Sequence, residues 1–309
     1  MAYRFLASDA SVEAGLRRIA GEQIDKALAT LRDGTEAEEE KVHDLRKRCK
    51  KLRGLIRIVR PSFPAYQEEN AFFRDLARSL SDLRDAKVMQ DCYDRICNAY
   101  DDALDRSELG SVRRNLTARR DDIRERQSLQ ARLADAESAL TDARERAKSW
   151  SLDGSGWDVL TGGLAKTYSR GVSAMEKAEE NAEPRRLHEW RKRTKYHWYH
   201  MRLLEEVWPP MMSERADQAH ALSDDLGDHH DLALFVDLLT EDAGRYGPVE
   251  KVDVLTGLAG KLMARLERTA LDLGPKLYAE TEDDLLARIG SYWESWREGA
   301  PDRKLAATG

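Results

Sequence analysis

Apolar side chains recur at helical spacing along most of the chain. The first such run begins at Val12 and continues to Leu31, where Asp33-Gly34 forms a stop signal. A second helix is predicted over about residues 37–59, because Pro61 cannot continue it. Further helical runs with few breakers follow, and strand-type runs of Val, Ile and Thr are nearly absent. The pattern predicts an all-α protein.

Two sequence motifs occur twice, in the same order. The segment "VHDLRKRCKKLRGLIR" (42–57) aligns without gaps with "LHEWRKRTKYHWYHMR" (187–202). At nearly the same separation, "LSDLRDAKV" (80–88) aligns with "LGDHHDLAL" (226–234), and both share the pattern Leu-x-Asp-x-x-Asp. Two matches in one order indicate an internal duplication.

The duplication predicts how the domain is organised. A Gly- and Ser-rich segment, "SLDGSGWD" (151–158), lies near the midpoint of the chain and predicts a linker. We therefore expect one domain over residues 1–309, made of two similar halves over about 3–150 and 157–297. The halves should form a pseudo-symmetric helical bundle.

Each copy of the first motif carries a basic arc opposite an apolar stripe when it is drawn on a helical wheel. The arc of the first copy contains His43, Arg46, Lys47, Lys50, Arg53 and Arg57. The arc of the second copy contains His188, Arg191, Lys192, Lys195 and Arg202. A solvent-exposed helix face normally mixes signs, and like charges at these spacings repel by a few tenths of a kcal/mol per pair. The repeated single-sign arc therefore favours a polyanion site over an ordinary exposed face.

Overall charge limits the kind of polyanion. The chain has a net charge of −6 and a pI near 5.8, so its remaining surface should discourage non-specific adherence to DNA or RNA. Trp198 and Tyr199 are the main candidates for stacking bases, and core packing explains them equally well. No apolar run is long enough for a membrane span or resembles a secretory signal. Together with three cysteines without metal-type spacing, this predicts a cytoplasmic protein.

Other charged groups have weaker interpretations. Four aspartates of the second motif are expected either to orient the basic side chains or to cap helices, with Mg²⁺ binding as an alternative; they are Asp82, Asp85, Asp228 and Asp231. No metal site is predicted, because the histidines lack metal-type spacing. Four further cations could extend the basic surface or be exposed in salt bridges; they are Arg113, Arg120, Lys261 and Arg268.

The paired motifs resemble those of the CHAD family of α-helical, histidine-containing domains, over about residues 3–296. The resemblance implies two helical halves around a basic groove or pore that binds inorganic polyphosphate. Carried over by motif, the two basic arcs would line that groove, together with Arg84 and His230 from the second motif. His230 stands where the first half has Arg84, and Trp198 where it has Arg53, so the first half should hold the ligand more tightly.

We therefore expect binding of inorganic polyphosphate without catalysis, since no catalytic motif and no triphosphatase domain with its Glu-x-Glu-x-Lys strand are found. No cofactor, specific nucleic acid or membrane is expected, and association with polyphosphate granules and protein partners is left open. Two alternatives remain. One is a nucleic-acid-binding helical protein. The other is a metal-assisted phosphoanhydride hydrolase, with His43 or His188 as nucleophile or general acid.

Overall fold

The computed structural model describes residues 3–103, 106, 109–126 and 129–299, with side-chain positions for all of these except residues 83, 84, 103, 124 and 126. This part of the chain contains α-helices, two short 3₁₀ helices and no strand, which confirms the all-α prediction. The first-half helices are α1 (Val12–Arg32), α2 (Glu38–Ile58), α3 (Tyr66–Arg78), α4 (Ser81–Ala99), α5 (Gly110–Arg126) and α6 (Leu129–Lys148). The second-half helices are α7 (Asp158–Glu180), α8 (Pro184–Leu203), α9 (Pro209–Glu241), α10 (Ala243–Tyr246), α11 (Val249–Leu277) and α12 (Glu282–Glu298).

Local sequence signals set the ends of the first helices. The Ser11 hydroxyl caps α1 by accepting a hydrogen bond of 3.0 Å from the Ala14 amide. Three glutamates occupy the first turn of α2, where their negative charges stabilise the helix by interacting with the positive end of its dipole. Both helices start and end within one residue of the bounds expected from the apolar pattern. The predicted linker lies between α6 and α7.

The larger hydrophobic core joins the two halves. It contains residues of α1, α2, α3 and α6 together with residues of α7, α8, α12 and the adjoining parts of α9 and α11. The helices approach closely at two glycines: a Cβ at Gly163 of α7 would lie 1.9 Å from the Ile58 carbonyl oxygen, and one at Gly54 of α2 would lie 2.8 Å from the Tyr199 Cβ. The first contact packs α7 against α2, and the second packs α2 against α8, the two helices with basic arcs.

A second, smaller core also combines the halves. It packs α4 and α5 against α10, the C-terminal half of α9 and the N-terminal part of α11, through side chains such as Ile96, Val112, Phe235 and Leu255. The Arg95 guanidinium of α4 pairs with the Asp228 carboxylate of α9 at 2.6 Å. The helices that carry the second motif, α4 and α9, therefore lie side by side. Pseudo-symmetry between the halves stays a prediction.

The two copies of the second motif differ locally. In the first half the helix breaks at Ser79-Leu80 between α3 and α4, whereas α9 runs through the equivalent residues without a break. Asp228 and Asp231 therefore lie inside a helix, and no side-chain hydrogen bond caps α4. Capping, one of the interpretations of these aspartates, does not describe Asp228 and Asp231, because the motif lies inside α9 in the second half. No helix among the described residues is long and apolar enough to cross a membrane.

Candidate anion-binding site

A cavity of about 470 Å³ lies between α2, α4, α8 and α9. We call it the basic cavity. Its walls bring together many of the residues predicted from the two motifs: Arg46, Lys50, Arg53, Arg57, Asp85, His188, Arg191, Lys192, Lys195, His230 and Asp231. Side chains that the motifs did not predict as ligands also line it: Val88, Arg193, Tyr196, Tyr199 and Leu234. Both copies of both motifs thus contribute to one concave surface.

Two arginines of α2 line the wall without a carboxylate partner among the described residues. Arg53 and Arg57 donate hydrogen bonds of 3.2 and 3.1 Å to the same Asn70 side-chain oxygen, and the Arg57 guanidinium lies 4.2 Å from the centre of the Tyr196 ring. Arg57 is only 9% exposed, its Nε is buried without a hydrogen-bond acceptor, and it makes no ion pair within the described residues. A neutral amide and an aromatic ring hold these charges without cancelling them.

Electrostatic repulsion accompanies this arrangement. Burial lowers the pKa of Arg53, and the neighbouring charge of Arg57 lowers it further. Burial likewise lowers the pKa of Arg193, and the positive charges of Arg170 and Arg57 act in the same direction. Arginine stays protonated in proteins, so these groups remain charged and repel one another. An anion in the cavity would relieve that repulsion.

Three cations of α8 are paired with carboxylates. Lys192 and Arg193 both pair with Glu189, the latter at 3.3 Å, and Lys195 pairs with Asp224 at 3.3 Å. The Lys195 ammonium also lies 4.1 Å from the centre of the Trp198 ring. Arg191 of α8 also lines the cavity and makes no ion pair within the described residues, so both α2 and α8 present guanidinium groups without a carboxylate partner.

A stacked histidine pair lines the same cavity. The rings of His188 and His230 have centroids 3.8 Å apart, with an interplanar angle of 36°. Burial lowers the pKa of His188 to about 4 and that of His230 to about 3, and the nearby charges of Arg191 and Lys192 add to both shifts. Both rings are therefore neutral at pH 7. Arg84, the first-half counterpart of His230, has a side chain outside the described residues.

Three predicted arc residues do not line the basic cavity. His43 is exposed in the first part of α2. Lys47 pairs with Asp44 at 2.8 Å, and Arg202 pairs with Glu205 at 3.1 Å in the last turn of α8. These three side chains lie on the same face of their helices as the other arc residues, but they do not lie where α4 and α9 close the cavity.

The four aspartates of the second motif divide into two groups. Asp85 and Asp231 line the basic cavity, as the predicted supporting role requires. Asp228 pairs with Arg95 instead, and the exposed Asp82 is not part of the wall. Among the residues that the structure describes, no three His, Cys, Asp or Glu side chains are grouped so as to hold a metal ion.

The four additional cations also lie away from the basic cavity. Arg113 makes a bidentate contact with Asp94 at 3.0 and 3.1 Å, and Arg120 pairs with Asp121 at 2.9 Å. Arg113 is an exposed, salt-bridged arginine, whereas Arg120 is half-buried and also donates to the Gln90 side chain. Lys261 is exposed, and Arg268 donates to a carbonyl oxygen of its own helix.

Comparison with known proteins identifies the fold family. The model of the CHAD domain matches residues 18–240. The chain belongs to the CHAD domain family. No curated protein matches the sequence.

Two solved structures resemble this CHAD chain. PptA from Streptomyces chartreusis is 14% identical, with a TM-score of 0.60 over 86% of this chain and 100% of that one. The crystal structure of the CHAD domain from the plant Ricinus communis is 18% identical, with a TM-score of 0.56 over 90% of this chain and 96% of that one. At these identities the likeness shows a common fold.

Sequence reasoning missed part of the CHAD site. Arg193 falls outside the basic arc of α8 on a helical wheel, as does its first-half counterpart Arg48. Arg48 pairs with Asp44 at 3.1 Å, whereas Arg193 reaches the basic cavity. Asn70 lies on α3, is uncharged and belongs to neither repeated motif. Only the packing of α3 against α2 reveals its role.

Proposed function

We propose that this CHAD domain binds inorganic polyphosphate in the basic cavity, without catalysing its cleavage. The observation that carries the proposal is the pair Arg53 and Arg57, whose charges face the cavity and are held by Asn70 and Tyr196 rather than by carboxylates. CHAD domains are in general associated with polyphosphate binding.

The chemistry of the wall suits a chain of phosphates. Guanidinium groups present a planar fork that matches two phosphate oxygens, and lysines add compact point charges. The cavity volume of about 470 Å³ lies within the range of clefts that take slender ligands, so a single extended chain is a better occupant than a nucleic-acid duplex. Polyphosphate carries no bases and requires no base-reading groups.

Charge compensation supports an asymmetric mode of binding. Lys192, Arg193 and Lys195 of α8 share the carboxylates of Glu189 and Asp224. Arg53 and Arg57 of α2 have no such partner within the described residues. A phosphate that meets Arg53 and Arg57 displaces no ion pair described for them. We therefore propose that the first half supplies the stronger contacts, with the histidine pair and α8 completing the wall.

The proposal is tested by titrating the protein with polyphosphates of increasing chain length at two salt concentrations. Affinity should rise with chain length until the cavity is filled, and it should fall steeply with salt because counterions are released. Affinity that does not rise with length would contradict an extended site. RNA competing as well as polyphosphate at matched salt would favour the nucleic-acid alternative, and release of phosphate by purified protein would favour the hydrolase.

A further inference from the structure

A second cavity lies on the other side of α8. It has a volume of about 540 Å³ and is formed by the C-terminal half of α7 and the N-terminal half of α8. We call it the α7–α8 cavity. Its cationic lining residues are Arg170, Lys177, Arg185, Arg186 and Arg193, and its carboxylates are Glu183 and Glu189. Positive charge is therefore in excess, although neither repeated motif predicts a site here.

One of the two carboxylates of this cavity is already paired with cations, and the other keeps its charge beside a neutral amide. Glu189 accepts the ion pairs of Lys192 and Arg193, and Glu183 accepts a hydrogen bond of 2.7 Å from the Asn181 side chain. Arg186 pairs with Glu180 at 3.1 Å, outside the lining. Within the described residues, Arg170, Lys177 and Arg185 make no ion pair. Three cations thus face this cavity without a carboxylate of their own.

Arg193 connects the two cavities, because its side chain lines both of them. It is 27% exposed and lies between Arg57, which faces the basic cavity, and Arg170, which faces the α7–α8 cavity. Burial lowers its pKa, and both neighbouring guanidinium groups lower it further. Repulsion along this row of three arginines would be relieved by one anion that contacts all of them.

We propose that the α7–α8 cavity is a second polyanion subsite, which a long phosphate chain reaches by passing over Arg193 from the basic cavity. This inference rests on the proposed function and extends it, since it gives the protein two subsites for one ligand. A flexible chain of phosphates without bases can bend across α8, and each further phosphate contact releases counterions. Short phosphates fill the basic cavity alone.

The test compares tripolyphosphate with long-chain polyphosphate. The variant Arg170→Gln/Lys177→Gln removes two exposed charges of α7 without touching the basic cavity. Its affinity for the long chain should fall by about tenfold or more, and the slope of log K against log salt should become shallower by about 1.5. Its affinity for tripolyphosphate should change by less than about twofold. The variant Arg32→Gln/Lys148→Gln, with the same charge change on exposed first-half sites, should bind both ligands like the wild type.

Two results would overturn the second subsite. One is a long-chain affinity of Arg170→Gln/Lys177→Gln equal to that of the wild type. The other is an equal loss for both ligands, because an extension of the site must act only on chains long enough to reach it. Failure of the wild type to bind either ligand would instead overturn the proposed function itself. Circular dichroism and thermal melting of each variant establish that the helices are intact.

Discussion

Arg57 offers a substitution that should separate binding from stability. Its guanidinium is 9% exposed, donates to Asn70 at 3.1 Å and lies over the Tyr196 ring at 4.2 Å. Methionine in its place keeps an unbranched side chain about as long as the aliphatic stem of arginine and removes the charged guanidinium. The variant Arg57→Met therefore removes one buried charge that faces the proposed ligand.

The expected loss of affinity follows from the kind of contact removed. A hydrogen bond to a charged group contributes about 1.5–3 kcal/mol. Since about 1.4 kcal/mol corresponds to a tenfold change, Arg57→Met should weaken polyphosphate binding by about 10- to 150-fold. Stability should change by no more than about 1 kcal/mol, because the lost hydrogen bond and cation–π contact are offset by relief of desolvation and of repulsion with Arg53.

A matched control lies on the same helix. Arg48 pairs with Asp44 at 3.1 Å and donates to the Gln23 side chain at 3.1 Å, and it does not line the basic cavity. Arg48→Met removes the same charge and should cost about 1–2 kcal/mol of stability while leaving affinity unchanged. Isothermal titration calorimetry and thermal melting measure both quantities. Wild-type affinity in Arg57→Met, or an equal loss of affinity in Arg48→Met, would refute the assignment of the site.

Two further outcomes concern stability. Burial lowers the pKa of His200 to about 3 and that of His197 well below its usual value, so the folded protein binds fewer protons than the unfolded chain below about pH 6.5. Thermal melts should therefore show a melting temperature that falls as the pH drops from about 6.5 to 5, and a flat profile would contradict neutral buried imidazoles. Gly163→Ala should destabilise the protein by about 3 kcal/mol or more in urea unfolding, because its Cβ would lie 1.9 Å from the Ile58 carbonyl oxygen; a change below about 1 kcal/mol would contradict this close approach.

The sequence alone predicts the features of this CHAD domain that depend on local periodicity. Apolar spacing and stop signals predict α1 and α2 to within one residue. The repeated basic arc predicts that residues such as Arg53 and Lys195 face one cavity. Helical spacing fixes the direction of a side chain, and the duplication supplies two helices with the same direction.

Direction around a helix does not predict position along it. Lys47 and Arg202 share the arc but do not line the basic cavity, whereas Lys192, which is also paired with a carboxylate three residues away, does line it. Arg193 lies off the arc and still reaches the cavity, because the packing of α7 and α2 against α8 decides which face of α8 is open. The hydrogen bonds of Asn70 likewise depend on how α3 packs, which no local pattern contains.

Polyphosphate binding in the basic cavity is tested most directly by lysine footprinting. The protein is acetylated with and without long-chain polyphosphate at low salt, and the reactivity of each lysine is read by mass spectrometry. Protection should concentrate at Lys50, Lys192 and Lys195, which line the cavity, and should extend to Lys177 if the long chain also occupies the α7–α8 cavity. The exposed Lys148 and Lys276 should keep their reactivity. Uniform protection of all lysines, or unchanged reactivity of the three cavity lysines under saturating polyphosphate, would contradict binding at this site.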